Sequence, residues 1–163
     1  MSLQLNKSNE TGLYDQHVFM LLADYELSRA QRYPSPVSLL HISVNQEQAK
    51  TEILKRIEQT FAGIMNTSLR ISDIPAHYGN DFLVLMPATD ETGAQVAASR
   101  LIARLKGTRN FADGNIFKFN IHIGIATHPG GQGASVDKLV EQATKALQNA
   151  RQTGPQAYKL FSE

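Results

Sequence analysis

Two apolar runs, Leu69 to Tyr78 and Phe82 to Met86, meet across Gly79-Asn80-Asp81. Glycine reaches positive φ without steric cost, and Asn and Asp tolerate turn geometry. Apolar runs on both sides of such a triplet predict a β-hairpin that turns there. A lone hairpin is marginal in water, so its apolar face must be covered by more strands or by helices.

The rest of the chain supplies both. Leu13 to Arg32 carries apolar residues at helical spacing, with Tyr14, Val18, Leu21, Leu22 and Tyr25 on the face expected to be buried. Met20 and Leu27 fall on the opposite side, expected to face a partner or solvent. Pro34 and Pro36 end that helix. A second helix is predicted from Lys50 to Met65, with Ile53, Ile57, Phe61 and Ile64 on one side. A third opens at Thr89 or Asp90 as N-cap and stops at Gly107. A fourth runs from Ser135 to about Gln152, where Gly154-Pro155 follows. Strands are predicted near residues 37–44, 69–77, 82–87, 116–126 and 157–161, the fourth alternating Phe117, Phe119, Ile121, Ile123 and Ile125 on one face. The expected fold class is an α/β (α+β) sandwich with a mixed sheet, in one domain over residues 13–163 after a polar lead-in over residues 1–12.

Composition narrows the function classes. With 163 residues and 42% hydrophobic content, one sizeable core is expected. The chain has no cysteine, which removes disulfides, thiolate nucleophiles and thiolate metal sites. That fits a reducing compartment, and the expected location is the cytoplasm. A net charge of +1 without a dense Lys/Arg run gives no support to nucleic-acid binding. No segment is long and apolar enough to cross a bilayer, and no signal peptide is visible.

The hairpin segment His77-Tyr78-Gly79-Asn80-Asp81-Phe82-Leu83-Val84-Leu85-Met86-Pro87 resembles the signature R-Y-G-G-[DE]-E-F-x-x-L-x-P of the GGDEF (diguanylate cyclase) family, one residue shorter. Thr11-Gly12-Leu13-Tyr14-Asp15 resembles that family's T-G-L-x-N opening. Pro36 to Leu40 resembles its first core strand, and Ile123-Gly124-Ile125-Ala126 its S-I-G-V-A strand. Ala143 to Leu147 with Ala150-Arg151 is similar to its last helix. The resemblance implies a nucleotidyl cyclase palm, a five-stranded and mainly antiparallel sheet flanked by helices. Fold does not carry function with it, so the sites are read residue by residue.

Diguanylate cyclases hold divalent cations on carboxylates beside the triphosphate. At the positions matching the family's metal and phosphate residues stand Ser43, Asn45 and Gln48. The turn keeps Gly79, Asn80 and one carboxylate, Asp81, where the family has two acidic positions. The family's guanine-binding loop has no counterpart, and its later phosphate contacts become Arg151 and Pro155. The resemblance with these departures implies a degenerate domain that is not an enzyme, with no Mg²⁺ site and no cofactor. A displaced metal site from Glu47, Asp81 and His122 is the counter-reading; His41, His77 and His122 read more simply as hydrogen-bonded or surface histidines.

Upstream of the hairpin, Arg70-Ile71-Ser72-Asp73 stands where the family keeps its R-x-x-D product-binding motif. An arginine fork binds phosphate or the guanine edge bidentately, and an aspartate accepts from guanine N–H groups. Arg100 in the third helix matches a further clamp position, and Arg29 matches one that a second subunit can supply. The resemblance thus implies cyclic di-GMP bound by Arg70, Asp73, Arg100 and Arg29, in a homodimer or against a neighbouring signalling domain. The bland reading makes Arg70 and Asp73 a surface pair of little energetic consequence. The alternatives are a ligand-free dimerisation or interaction module, retained GTP binding, and an active cyclase.

Overall fold

A computed structural model describes residues 11–45, 51–107, 111–112, 115–116 and 120–162. In chain order the elements are α1 (Gln16–Arg32), β1 (Val37–Asn45), α2 (Thr51–Ser68), β2 (Ile74–Tyr78), β3 (Asp81–Pro87), α3 (Glu91–Gly107), β4 (Phe111–Ala112), β5 (Asn115–Ile116), β6 (Asn120–His128), α4 (Val136–Arg151) and β7 (Gln156–Leu160).

The five-stranded sheet has the order β2-β3-β1-β6-β7. β1 pairs antiparallel with β3 and with β6, and β7 joins β6 in parallel. The alternation of β1 splits the core in two. Leu40 and Ile42 join Ile121, Ile123 and Ile125 against Ile57, Phe61 and Met65 of α2 and Ala98 and Leu101 of α3. Val37 and Leu39 join Phe19, Ala23 and Leu27 of α1 and Leu139 and Ala143 of α4 on the other face. Each face thus carries two helices, and the sheet is buried from both sides.

Three expectations change, and one open choice is decided. The buried face of α1 is Val18, Phe19, Ala23, Leu27 and Ala30, while Leu21 is 60% and Tyr25 64% exposed. Apolar residues surround this helix, so spacing alone fits more than one register. Contact with β2 and α4 selects the face that carries the small Ala23 and Ala30. Residues 69–73 form a turn rather than a strand: α2 continues to Ser68, and the Asp73 amide donates to the Arg70 carbonyl at 3.0 Å. The strand expected at 116–126 divides into β5, which pairs with β4 as a separate hairpin, and β6; residues 117–119 lie outside the described residues. Of the two N-cap candidates for α3, Asp90 serves, its Oδ1 accepting the Gly93 amide at 2.9 Å.

The lead-in ends packed rather than loose. Thr11 is buried, and the Thr11 carbonyl accepts from Asn66 Nδ2 at 2.8 Å. Thr11 Oγ1 lies 2.7 Å from His77 Nε2, whose Nδ1 is 3.3 Å from Glu58. The opening segment is thereby tied to β2 and α2.

Among the described residues, Ala88 is the one non-glycine at positive φ (+50°). This backbone costs an L-residue about 1–2 kcal/mol. Ala88→Gly is therefore expected to leave stability unchanged or raise it by up to about 1 kcal/mol, a rise in Tm of about 2–4 °C at this size. Differential scanning fluorimetry reads it, and a clear loss of Tm contradicts the strain.

Candidate functional site

β3 connects two polar regions. Asp81 starts it and Pro87 ends it. A strand rises about 3.3 Å per residue, which puts the two regions roughly 20 Å apart.

At the Asp81 end, His41 projects from β1 onto the α4 face. His41 Nε2 lies 2.9 Å from Asp81 Oδ2, and Nδ1 lies 2.9 Å from Thr144 Oγ1 of α4. The ring of Tyr78 meets the His41 imidazole edge-on, with centroids 5.3 Å apart. Arg151, at the end of α4, donates from Nη2 to Ser43 Oγ at 3.0 Å and comes within 4.0 Å of Asp81 Oδ2. Gly79 turns the hairpin at φ +60° beside Asn80. Asp81, Ser43 and Arg151 are thus drawn together, Asn45 ends β1 on the neighbouring strand, and Pro155 accepts the Ile121 amide through its carbonyl at 3.1 Å. Gln48 and Glu47 lie outside the described residues.

A divalent cation takes several oxygen ligands, carboxylates among them. Asp81 is the carboxylate in this network, and a histidine and an arginine already flank it. Among the described residues no three His, Asp or Glu side chains converge as metal ligands. His122 donates from Nε2 to the Gly154 carbonyl at 2.5 Å, and its buried Nδ1 has no partner among the described residues. The histidine thus ties β6 to the loop after α4.

Asp81→Ala would leave the buried His41 without its acceptor. The expected result is a loss of about 1–3 kcal/mol of stability, measured by urea denaturation. A variant as stable as the parent would contradict the pairing.

At the Pro87 end, the turn after α2 holds Arg70 and Asp73. The Asp73 side chain is 1% exposed; its Oδ2 accepts the Arg70 amide at 2.8 Å and its Oδ1 accepts Arg70 Nη2 at 3.3 Å. The same Nη2 also donates to the Pro87 carbonyl at 3.1 Å and to Thr89 Oγ1. All these side-chain bonds share one nitrogen, so Nη1 and Nε keep three N–H donors without partners among the described residues. The Arg70 side chain is 54% exposed. A cavity of about 400 Å³ beside it is lined by Arg70, Asp73, Thr89, Val96 and Arg100. A second cavity of about 500 Å³ is also bordered by Arg70, together with Glu26, Arg29, Tyr33 and Ser72. Arg29 Nη1 meets Glu26 at 3.4 Å. The residues read from the sequence as Arg29, Arg70, Asp73 and Arg100 therefore border adjoining cavities. Sequence reasoning did not find Thr89 and the Pro87 carbonyl, the groups that aim Arg70. Backbone carbonyls leave no mark in a sequence, and Thr89 read only as a possible helix cap.

The family described as "Diguanylate cyclase, GGDEF domain" matches residues 53–157. Diguanylate cyclase DgcS of Shewanella oneidensis is 23% identical over 98% of this chain and 54% of its own length. The chain therefore spans about half of that curated relative. The GGDEF domain of DgcB from Caulobacter crescentus, solved in complex with c-di-GMP, superposes with a TM-score of 0.88 at 12% identity, covering 100% of this chain and 99% of that one. The FimX GGDEF domain from Pseudomonas aeruginosa superposes at 0.81 with 22% identity, covering 92% and 96%.

These likenesses overturn one expectation. The sequence led to a domain that is not an enzyme, yet the matching family and the curated relative are described as diguanylate cyclases. The inference ran from residues missing at individual positions. It did not see that the fold gathers His41, Ser43, Asp81 and Arg151 into one connected network at the same place.

Proposed function

This chain belongs to the GGDEF domain family of diguanylate cyclases, and on that premise we propose that its Arg70 surface binds cyclic di-GMP as a signalling ligand. One observation carries the reading. Arg70 is fixed through Nη2 and borders a cavity that Arg100 also lines, while its other donors have no partner among the described residues. A guanidinium held this way is preorganised for a phosphate or a guanine edge and loses less freedom on binding. Asp73 sits beneath it, accepting from both its backbone and its side chain. A structural relative of TM-score 0.88 was solved with c-di-GMP, which supports the choice of ligand.

The reading concerns the Pro87 end of β3 and is independent of turnover at the Asp81 end. Isothermal titration of the purified chain with cyclic di-GMP tests it, with GMP and inorganic phosphate as controls. Binding in the submillimolar range by the cyclic dinucleotide, and much weaker binding by the controls, is the expected result. No heat at submillimolar ligand removes the reading. In the Asp81→Ala variant, binding should match the parent, because that carboxylate lies at the far end of the strand.

A second reading, an interaction module acting on a neighbouring domain or a second copy, draws on the exposed Leu21, Tyr25 and Tyr33 of α1 and its C-terminal end. Sedimentation equilibrium tests it: self-association lost in Leu21→Ser with Tyr25→Ser supports a second copy as partner.

A further inference from the structure

The two edges of the sheet end differently. At β2 the entry segment closes the edge: the Tyr14 amide donates to the Pro75 carbonyl at 3.1 Å, and the His77 amide donates to the Tyr14 carbonyl at 2.9 Å. At the opposite edge β7 is the last strand, and among the described residues none lies beyond it. The Pro155 carbonyl accepts from Ile121 at 3.1 Å and the Phe161 amide donates to Ile125 at 2.8 Å, both on β6. Alternation along the strand then turns the backbone groups of Ala157 and Lys159 toward β6, and those of Tyr158 and Leu160 outward. An outward row of amides and carbonyls is a template for one more strand.

A cavity of about 470 Å³ lies along this edge, between α3 and β7. Ser99, Ile102, Ala103 and Lys106 line it from α3, and Tyr158 and Lys159 from β7. It shares no lining residue with the two cavities at Arg70. No carboxylate lines it, and neither Lys106 nor Lys159 has an ion pair among the described residues. Both lysines are exposed, while Ile102 and Tyr158 are half-buried and pack against the core.

We propose that the outer edge of β7 is a docking site for an extended acidic segment of a partner protein. The segment adds a strand to the sheet, seats an apolar side chain on Ile102 and Ala103, and sets carboxylates against Lys106 and Lys159. In strand addition the main chain supplies affinity, and pockets for alternate side chains supply specificity; this edge offers both. The two unpaired ammonium groups select carboxylates on the incoming strand. They also disfavour a second copy, because pairing β7 with β7 brings like charges together across the new ladder. The proposal does not depend on the cyclic di-GMP reading.

The probe is a ten-residue peptide of alternating Glu and Val, fluorescently labelled and titrated into the purified chain by anisotropy. Two companions are the same peptide with Lys for every Glu, and the Glu–Val peptide N-methylated at every amide, which cannot donate to a ladder. The Glu–Val peptide is expected to bind and to shift the amide resonances of Tyr158 and Leu160; both companions should bind much more weakly. Lys106→Glu with Lys159→Glu, shown to be folded by circular dichroism, should weaken binding of the Glu–Val peptide roughly tenfold or more and strengthen that of the Lys–Val peptide, since two modest exposed pairs become repulsions. No binding by the Glu–Val peptide at millimolar concentration overturns the proposal. Equal binding by the N-methylated peptide, or indifference to the charge reversal, overturns it as well. Self-association of the parent that the peptide competes away would put a second copy at this edge and overturn the acidic occupant.

Discussion

Arg70→Ala is expected to weaken cyclic di-GMP binding by about 1.5–3 kcal/mol, or about tenfold to over a hundredfold in Kd, the usual size for hydrogen bonds to a charged group. The effect should exceed that of any other single substitution on this surface, because Arg70 borders both cavities and the other arginines border one each. Arg70→Lys should recover little. A lysine carries the charge but lacks the planar fork that bonds Asp73 and Pro87 through one nitrogen and leaves two others for a ligand. Asp73→Asn should also weaken binding. Both carboxylate oxygens accept from Arg70, one from its amide and one from Nη2, and an amide group replaces one acceptor with a donor. Titration calorimetry on the three variants checks the order. Binding that survives Arg70→Ala unchanged would remove Arg70 from the site.

Gly124→Ala is expected to produce the largest loss of stability of any single methyl addition among the described glycines. Its position on β6 lies under α4, where a Cβ would stand 2.0 Å from the Ala143 carbonyl oxygen and 2.3 Å from the Leu147 amide nitrogen. Ordinary overpacking costs about 1–3 kcal/mol because side chains shift to make room. Here the obstructing atoms are helix backbone, so α4 itself must lift from the sheet. A cost at or above the top of that range corresponds to a fall in Tm of at least about 6–12 °C for a chain of this size. Scanning calorimetry reads the shift. Gly131→Ala, where a Cβ meets nothing within 4 Å, is the control for glycine conformational strain, since that residue sits at φ +84°. A Gly124→Ala protein as stable as the parent would mean that α4 does not pack so closely.

How the chain was legible varies from one element to the next. The hairpin turn at Gly79 to Asp81 was readable because its information is local: a residue able to adopt φ +60° between two apolar runs. The start of α4 was readable for the same reason. Ser135 accepts the Lys138 amide at 3.3 Å, an interaction three residues long. The cluster of Arg29, Arg70, Asp73 and Arg100 was legible only as residue types matching a family pattern. Nothing local says that residues from the end of α1, the turn after α2 and the middle of α3 share a surface.

What the amino-acid sequence determined by itself was thus the set of interactions closed within a few residues: turns, caps, the α/β alternation and the family pattern. The tertiary structure decided the rest. It chose which face of α1 is buried, since a helix that is apolar on several sides satisfies its spacing in more than one orientation and only the shape of the sheet distinguishes them. It converted residues 69–73 from an extended segment into the turn that aims Arg70, because the carbonyl of Pro87 and the hydroxyl of Thr89 reach that guanidinium from the far end of β3. It also left no room for a side chain at Gly124, through the close approach of the α4 backbone at Ala143 and Leu147. Contacts between distant residues depend on packing, and packing is a property of the assembled fold rather than of any short stretch of it.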